Sequence, residues 1–234
     1  AQVASAEIPG TGMAVVNDIG NVADIHPTNK DDVGKRLAWQ ALNKTYGKSD
    51  VTCESPLFDR FEIEGNAMRV YFTHAQSLST RDGASPTWFH ICGPDGVYHE
   101  SAAAIDGASV VLTAEGVATP AAVRFAWHHC AEPNLMNEAG LPAAAFRAGT
   151  IPVDGALRMN VPESEGFELV YAFNPTDLVF DNGRAQYAED RRESLAGKSI
   201  ARVAYYLQLV GANNQVQWVY AEMDPFTQDL GHIG

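Results

Sequence analysis

The sequence predicts a mainly β protein: antiparallel β-sandwich modules with one N-terminal α-helix. Three observations carry this expectation. Residues 29–46 form the one stretch with a sustained helical repeat of apolar positions. After Gly47 the apolar period shortens to two, in runs of strand length. Between those runs stand Glu64-Gly65-Asn66, Arg81-Asp82-Gly83, Pro94-Asp95-Gly96, Asp106-Gly107 and Glu115-Gly116, the residue types that accept the positive φ of tight turns.

In chain order, the helix comes first. Val33, Leu37, Ala38, Ala41, Leu42 and Thr45 recur at helical spacing and form one apolar face. Asn29 is a suitable N-cap, Asp31 and Asp32 complement the positive end of the dipole, and Lys44, Gly47 and Lys48 mark the stop. Strands are predicted at 58–63, 68–74, 87–91, 97–105, 109–113 and 121–129, a spacing typical of a sandwich. Periodicity lapses near Pro142-Ala143-Ala144-Ala145 and Ile151-Pro152, which marks a boundary. Beyond it, strands are expected at 156–161, 168–173, 200–209 and 216–223, with Val203, Tyr205, Leu207 and Leu209 on one face. The chain thus divides into 1–50, 51–152 and 153–234, and its ending at DPFTQDLGHIG, without a closing strand, reads as a cut through a longer protein.

Composition narrows the function classes. Sixteen basic against 29 acidic residues give a formal charge of −13, which repels a phosphate backbone or an anionic bilayer, so nucleic acid and membrane are not expected partners. Hydrophobic residues reach 46% with only 19% charged, enough to bury a core and too apolar for disorder. No apolar run is long enough to span a bilayer, and AQVASAEIPG lacks the charged and apolar regions of an export signal, so such a signal would have to lie upstream. Three cysteines are too few for a disulfide framework or a zinc ribbon. Cys53, Cys92 and Cys130 are read either as buried free thiols or, in an exported chain, as containing a Cys92–Cys130 pair.

The most informative segment is GMAVVNDIGNVADIHPTNKDDVGKRLAWQALNKTYG, Gly12 to Gly47. It resembles the end of the catalytic domain in sialate O-acetylesterase-type carbohydrate esterases of the SGNH/GDSL hydrolases, where an apolar strand leads through an acidic loop to Asp-Ile-His-Pro and a helix of the form NK..VG.RLA...L...YG. VRFAWHHCAEPNLMNEAGLPAAAFRA, Val123 to Ala148, resembles the trailing β-domain of the same family, so the likeness runs from about Ile8 to Pro152. The resemblance implies that the helix is left over from an α/β hydrolase domain and that residues 1–50 are its remnant. From Phe167 on, RVAYYLQL and QWVYAEMDPFTQDL resemble an uncharacterised module of planctomycete-like proteins, with no activity to carry over.

The resemblance also implies a mechanism. A serine attacks an acetyl ester, His26 takes its proton, and a carboxylate orients the imidazole. Relatives place that acid three residues before the histidine, but Ala23 stands there and Asp24 comes two before. Two-residue spacing on an extended loop sends both side chains the same way, so Asp24 is the first candidate acid and Asp18, at the strand end, the alternative. Read without the family, His26 is a loop histidine beside a helix start. The Gly-Gln-Ser-Asn type block carrying the family's nucleophile does not occur in this sequence, nor do the later blocks that supply oxyanion donors. Histidine and acid without serine and donors retain little catalysis.

Two other groups of residues compete for attention. His74, His90, His99, His128 and His129 lie in the strand-rich region, but a strand placement sends adjacent His128 and His129 to opposite faces, so neither a metal nor another cofactor is expected. Trp88, Trp127 and Trp218 are candidates for a sugar-stacking face, though core burial is the commoner fate of tryptophans in alternating strands. The leading expectation is therefore a fragment of a carbohydrate O-acetylesterase, acting on acetylated glycans, secreted or periplasmic in its parent, and lacking catalytic completeness. The alternatives are a non-catalytic glycan-binding or accessory β-sandwich, and self-association into a homo-oligomer through residues 1–47, whose strand and helix have lost their cover.

Overall fold

The computed structural model describes residues 2–6, 8–172, 180–181, 184–185, 189–211 and 215–225. Strand accounts for 33% and helix for 16%, so the protein is mainly β. The chain forms two compact units: residues 1–93 with 98–150, and residues 94–97 with 151–234.

The first unit is built on two four-stranded antiparallel sheets. One has the order β1-β2-β7-β6, from Leu57–Glu64, Ala67–Thr73, Ser109–Thr113 and Ala102–Asp106. The other has the order β10-β8-β4-β5, from Phe146–Gly149, Ala122–Phe125, Phe89–Cys92 and Tyr98–Glu100. A short pair, β3 (Leu78–Thr80) with β9 (Leu135–Asn137), joins the loops and carries too little pattern to be seen in sequence. The run predicted as one strand over 97–105 is two: the chain breaks at Ser101, so that β5 pairs with β4 and β6 with β7, in different sheets. Alternation explains the core. Met68, Val70 and Phe72 of β2, Val110 and Leu112 of β7, Phe89 and Ile91 of β4, and Val123 and Phe125 of β8 are all buried in a single cluster, with Phe146 stacked on Phe58 at 4.7 Å.

Two buried asparagines hold the loops over this core. Asn137 donates to the carbonyls of Glu54 (3.1 Å) and His74 (3.0 Å) and accepts from the amides of Ala139 (3.2 Å) and Leu141 (2.9 Å). Asn134 donates to Asp82 and the Ser85 carbonyl, both at 3.0 Å, and accepts from the Thr87 amide at 3.0 Å. Each side chain meets its full hydrogen-bonding capacity, the condition under which burying an amide is tolerated. Gly149 has φ +94, and a Cβ there would strike the Ala121 carbonyl oxygen, so this position requires glycine.

The N-terminal segment departs from expectation. A short helix, α1 (Gln2–Ser5), precedes it, and α2 (Asp31–Gln40) continues into a wider π turn over Ala41–Thr45. The predicted stop holds, with Gly47 at φ +67 just past the last turn, but the N-cap is Lys30, one residue after the expected Asn29, whose Oδ1 still accepts the Asp32 amide at 3.1 Å. The predicted buried face does not hold. Arg36 and Gln40, one turn apart, are the buried residues of α2, while Leu37 is 52% and Leu42 37% exposed. The cause is the segment 11–16, which forms no strand. Its carbonyls are met by side chains instead: Gln40 Nε2 donates to Met13 O (3.1 Å) and Arg36 Nη1 to Val15 O (2.7 Å). Polar residues must face inward to satisfy this backbone, and the apolar stripe is turned outward. The segment meets its own β unit through Asn17 Nδ2 to the Ala143 carbonyl at 2.9 Å and Arg81 Nη1 to the Asp18 carbonyl at 2.6 Å.

In the second unit, residues 156–161 are not a strand but belong mostly to a short helix, α3 (Gly155–Asn160), capped by a turn over Pro162–Gly166. Gly155 lies against the Pro94 carbonyl, where any side chain would collide. Four two-residue strands follow, β11 (Tyr171–Ala172), β12 (Phe180–Asp181), β13 (Arg184–Ala185) and β14 (Glu189–Asp190), paired β11 with β14 and β12 with β13. The long hairpin β15 (Val203–Val210) and β16 (Val216–Met223) agrees with the predicted strands to within a few residues. Most of the terminal stretch DPFTQDLGHIG lies outside the described residues.

Candidate functional site

Residues 17–28 leave the anchored segment as a series of bends, not an extended loop, and carry all three predicted site residues. His26 and Asp24 are exposed, and Ile25 between them is 90% exposed. Asp24 Oδ1 accepts the backbone amide of His26 at 2.8 Å, so the carboxylate fixes the main chain at the histidine and does not hold the ring. Asp18 is placed quite differently. Its two oxygens take Arg36 Nη1 and Nη2 at 2.6 and 2.7 Å, with side-chain exposures of 8% for Arg36 and 3% for Asp18. This bidentate, buried pair locks the root of the histidine loop to α2. The structure therefore brings Asp24 and His26 together through the backbone and sets Asp18 apart as an anchor. Arg36 carried no signal in sequence, because a lone arginine in a helix normally faces water.

Beside this loop is a cleft of about 240 Å³, with Asn17, Gly20 and Val22 on one wall and His128, His129 and Glu132 on the other. The second wall overturns the strand placement of those histidines. Strand β8 ends at Phe125; Ala126 has φ +49, uncommon for a non-glycine residue, and turns the chain. His128 and His129 then lie in a bend with ring centroids 4.3 Å apart, and Trp88 stacks against His128 at 6.0 Å. The Cys130 amide donates to His128 Nδ1 at 3.1 Å, which folds the turn back on itself.

The remaining candidates separate clearly. None of Cys53, Cys92 and Cys130 is in a disulfide, and the first two are buried. Burial pushes the Cys53 thiol up, and burial likewise lowers His90, neither of which suits a reactive group. Trp88 is partly buried against the core as expected, but Trp127 is 50% and Trp218 45% exposed. Trp127 lies under the Arg147 guanidinium at 5.2 Å, and Trp218 beside Tyr206 at 6.2 Å. Among the described residues no helix is long and apolar enough to cross a membrane.

No protein-family model matches the chain, and no curated protein matches it. Among solved structures, a carbohydrate acetylesterase from Xanthomonas citri is similar at 39% identity and a TM-score of 0.60, over 64% of this chain and 34% of that one. Identity at that level over that length marks a relationship to a carbohydrate esterase. The chain spans about a third of the length of the enzyme it matches.

Proposed function

We propose that this chain contributes the histidine loop of a carbohydrate O-acetylesterase of the sialate O-acetylesterase type, with His26 as general base and Asp24 as its orienting acid, and that it lacks the nucleophile needed to act alone. The observation that carries the reading is the histidine loop held out, exposed, from a root locked by the buried Asp18–Arg36 pair, in a chain 39% identical to a carbohydrate acetylesterase. An orienting role for Asp24 requires its carboxylate to exchange the His26 amide for the imidazole, a side-chain rotation at an exposed site. Asp18 is the weaker choice for the acid, since leaving Arg36 would bury an unpaired cation.

The inside-out helix supports incompleteness. Gln40 Oε1 and Asn17 Oδ1 are buried without a partner among the described residues, on two side chains whose amide nitrogens tie the segment down, while Leu37 and Leu42 face outward. A segment shaped to pack in a larger α/β domain would show this pattern when packed on its own β unit. On the same reading the two sheets form a sandwich that trails the catalytic domain, the parent acts on acetylated glycans outside the cytoplasm, and the Leu37 and Leu42 stripe is the surface through which two copies associate. Comparing light scattering of the chain with that of a Leu37→Lys/Leu42→Lys variant tests the association: a shift from dimer to monomer supports it, and two identical monomers dismiss it.

Hydrolysis of an aryl acetate and of an acetylated oligosaccharide tests the catalytic part. The expected rate for residues 1–234 is near background and unchanged by His26→Ala; fast turnover abolished by that substitution would mean that a nucleophile exists here after all. A second reading, glycan binding without catalysis, is favoured by the half-exposed Trp127, whose ring offers a stacking surface. Loss of oligosaccharide affinity in Trp127→Ala, with no change in His26→Ala, would select it.

A further inference from the structure

Three neighbouring side chains outside the proposed catalytic pair are all good ligands for a borderline-soft metal. In His128, His129 and Cys130, one ligand atom each (an imidazole nitrogen, an imidazole nitrogen and the thiol sulfur) lies within 4.8 Å of the other two. Both histidines are exposed and Cys130 half-buried, so all three can be reached and can turn. Zinc bonds of about 2.0–2.3 Å put tetrahedral N···N and N···S separations at about 3.3–3.7 Å. The cluster therefore needs to contract by about 1 Å, within the reach of surface side-chain rotations.

The backbone already provides the curvature. The positive φ of Ala126 and the amide of Ala131 donating to the His128 carbonyl at 3.1 Å close the turn that brings three consecutive side chains to one side. Trp88 stacked on His128 restricts that ring. We propose that His128, His129 and Cys130 form a binding site for a divalent zinc-class cation, at the wall of the cleft shared with Glu132. Imidazole and thiolate together select zinc or copper over magnesium or calcium. Binding converts the Cys130 thiol to a thiolate and releases its proton to solvent, and it replaces the Cys130 amide on His128 Nδ1 or rotates that ring to present Nε2. The acidic chain, with its formal charge of −13, favours cation capture, and Glu132 lines the same cleft. Three protein ligands leave the fourth position to water, an arrangement open to an incoming oxygen ligand.

The test is titration of the purified, metal-stripped and reduced chain with Zn²⁺ against a chromophoric chelator, and with Co²⁺ as a spectroscopic probe. One equivalent is expected to bind, with a sulfur-to-cobalt charge-transfer band and release of protons. His129→Ala and Cys130→Ser should each weaken binding by about tenfold or more, as expected for disturbing a metal's ligand set, and Cys130→Ser should also erase the charge-transfer band. His74→Asn, at an exposed histidine elsewhere in the unit, should change nothing. Circular dichroism confirms that the variants keep the fold. Absence of a stoichiometric site, or an affinity unmoved by both His129→Ala and Cys130→Ser, overturns the proposal.

Discussion

Replacing Arg36 by methionine tests the anchor of the histidine loop. The substitution keeps the apolar length of the side chain and removes the guanidinium, leaving the Asp18 carboxylate, 3% exposed, without the two hydrogen bonds of 2.6 and 2.7 Å that compensate its burial. It also strips the Val15 carbonyl of its 2.7 Å donor. Removing one member of a buried pair costs about 3–5 kcal/mol, because the remaining charge stays desolvated. The orphaned carbonyl adds about 1 kcal/mol or more. Few hydrogen bonds tie the N-terminal segment to its β unit, so part of this cost is expected as release of the segment, with the sheets surviving. Two readouts separate the cases: urea denaturation for the global change, and hydrogen exchange over residues 13–40 for the local one. Arg36→Met should abolish amide protection in that range and lower global stability by a smaller amount. Adding Asp18→Asn should restore protection in part, with a coupling energy of about 1–3 kcal/mol. Unchanged exchange in Arg36→Met, or strict additivity of the two substitutions, would refute the claim that this pair holds the loop root.

Further expectations follow from single residues. Asn137→Ala removes four hydrogen bonds worth about 1 kcal/mol each and should destabilise the first unit by about 3–4 kcal/mol in urea titrations, whereas Asn43→Ala, which removes the half-buried bond to the Val51 carbonyl at 2.8 Å, should cost only about 1 kcal/mol. Gly149→Ala should lower the melting temperature by several degrees, since φ +94 is strained for alanine and its Cβ meets the Ala121 carbonyl. The Glu138 carboxylate is held below the usual glutamate range by its own amide and those of Ser77 and Gln76. A depressed folded-state pKa adds stability that is complete above the unfolded value and lost as pH falls through the folded one. The melting-temperature gap between the protein and Glu138→Gln should therefore be constant near neutral pH and close below about pH 4; a constant gap down to pH 3 would count against it.

Much of the fold was legible because its signals are local. Strand β7 was placed to the residue from SVVLT, and β16 from VQWVYAEM, since alternation and turn glycines bound them directly. The ends of α2 were visible to within a residue or two in Asn29 and Gly47. What failed depended on tertiary context. The burial of α2 through Arg36 and Gln40 follows from unpaired carbonyls 27 and 21 residues earlier, which no helical periodicity records. The split of 97–105 depends on which sheet each half joins. The site was half legible. The Asp24 and His26 spacing is readable in the motif, but the preference of Asp24 for the backbone amide is a property of the bent loop. The approach of His128, His129 and Cys130 was hidden because continuing β8 four residues too far assigns them to alternating faces.

The proposal that His26 is the general base of an acetylesterase for which this chain lacks the nucleophile is tested most directly in a joined protein, in which residues 1–234 replace the matching segment of the similar Xanthomonas citri carbohydrate acetylesterase, by acetate release from an acetylated oligosaccharide. Steady turnover is expected in the joined protein, with a fall in kcat of about 10³-fold or more in His26→Ala, KM little changed, and background rates for residues 1–234 alone. Equal kcat in the joined protein with and without His26 would contradict it.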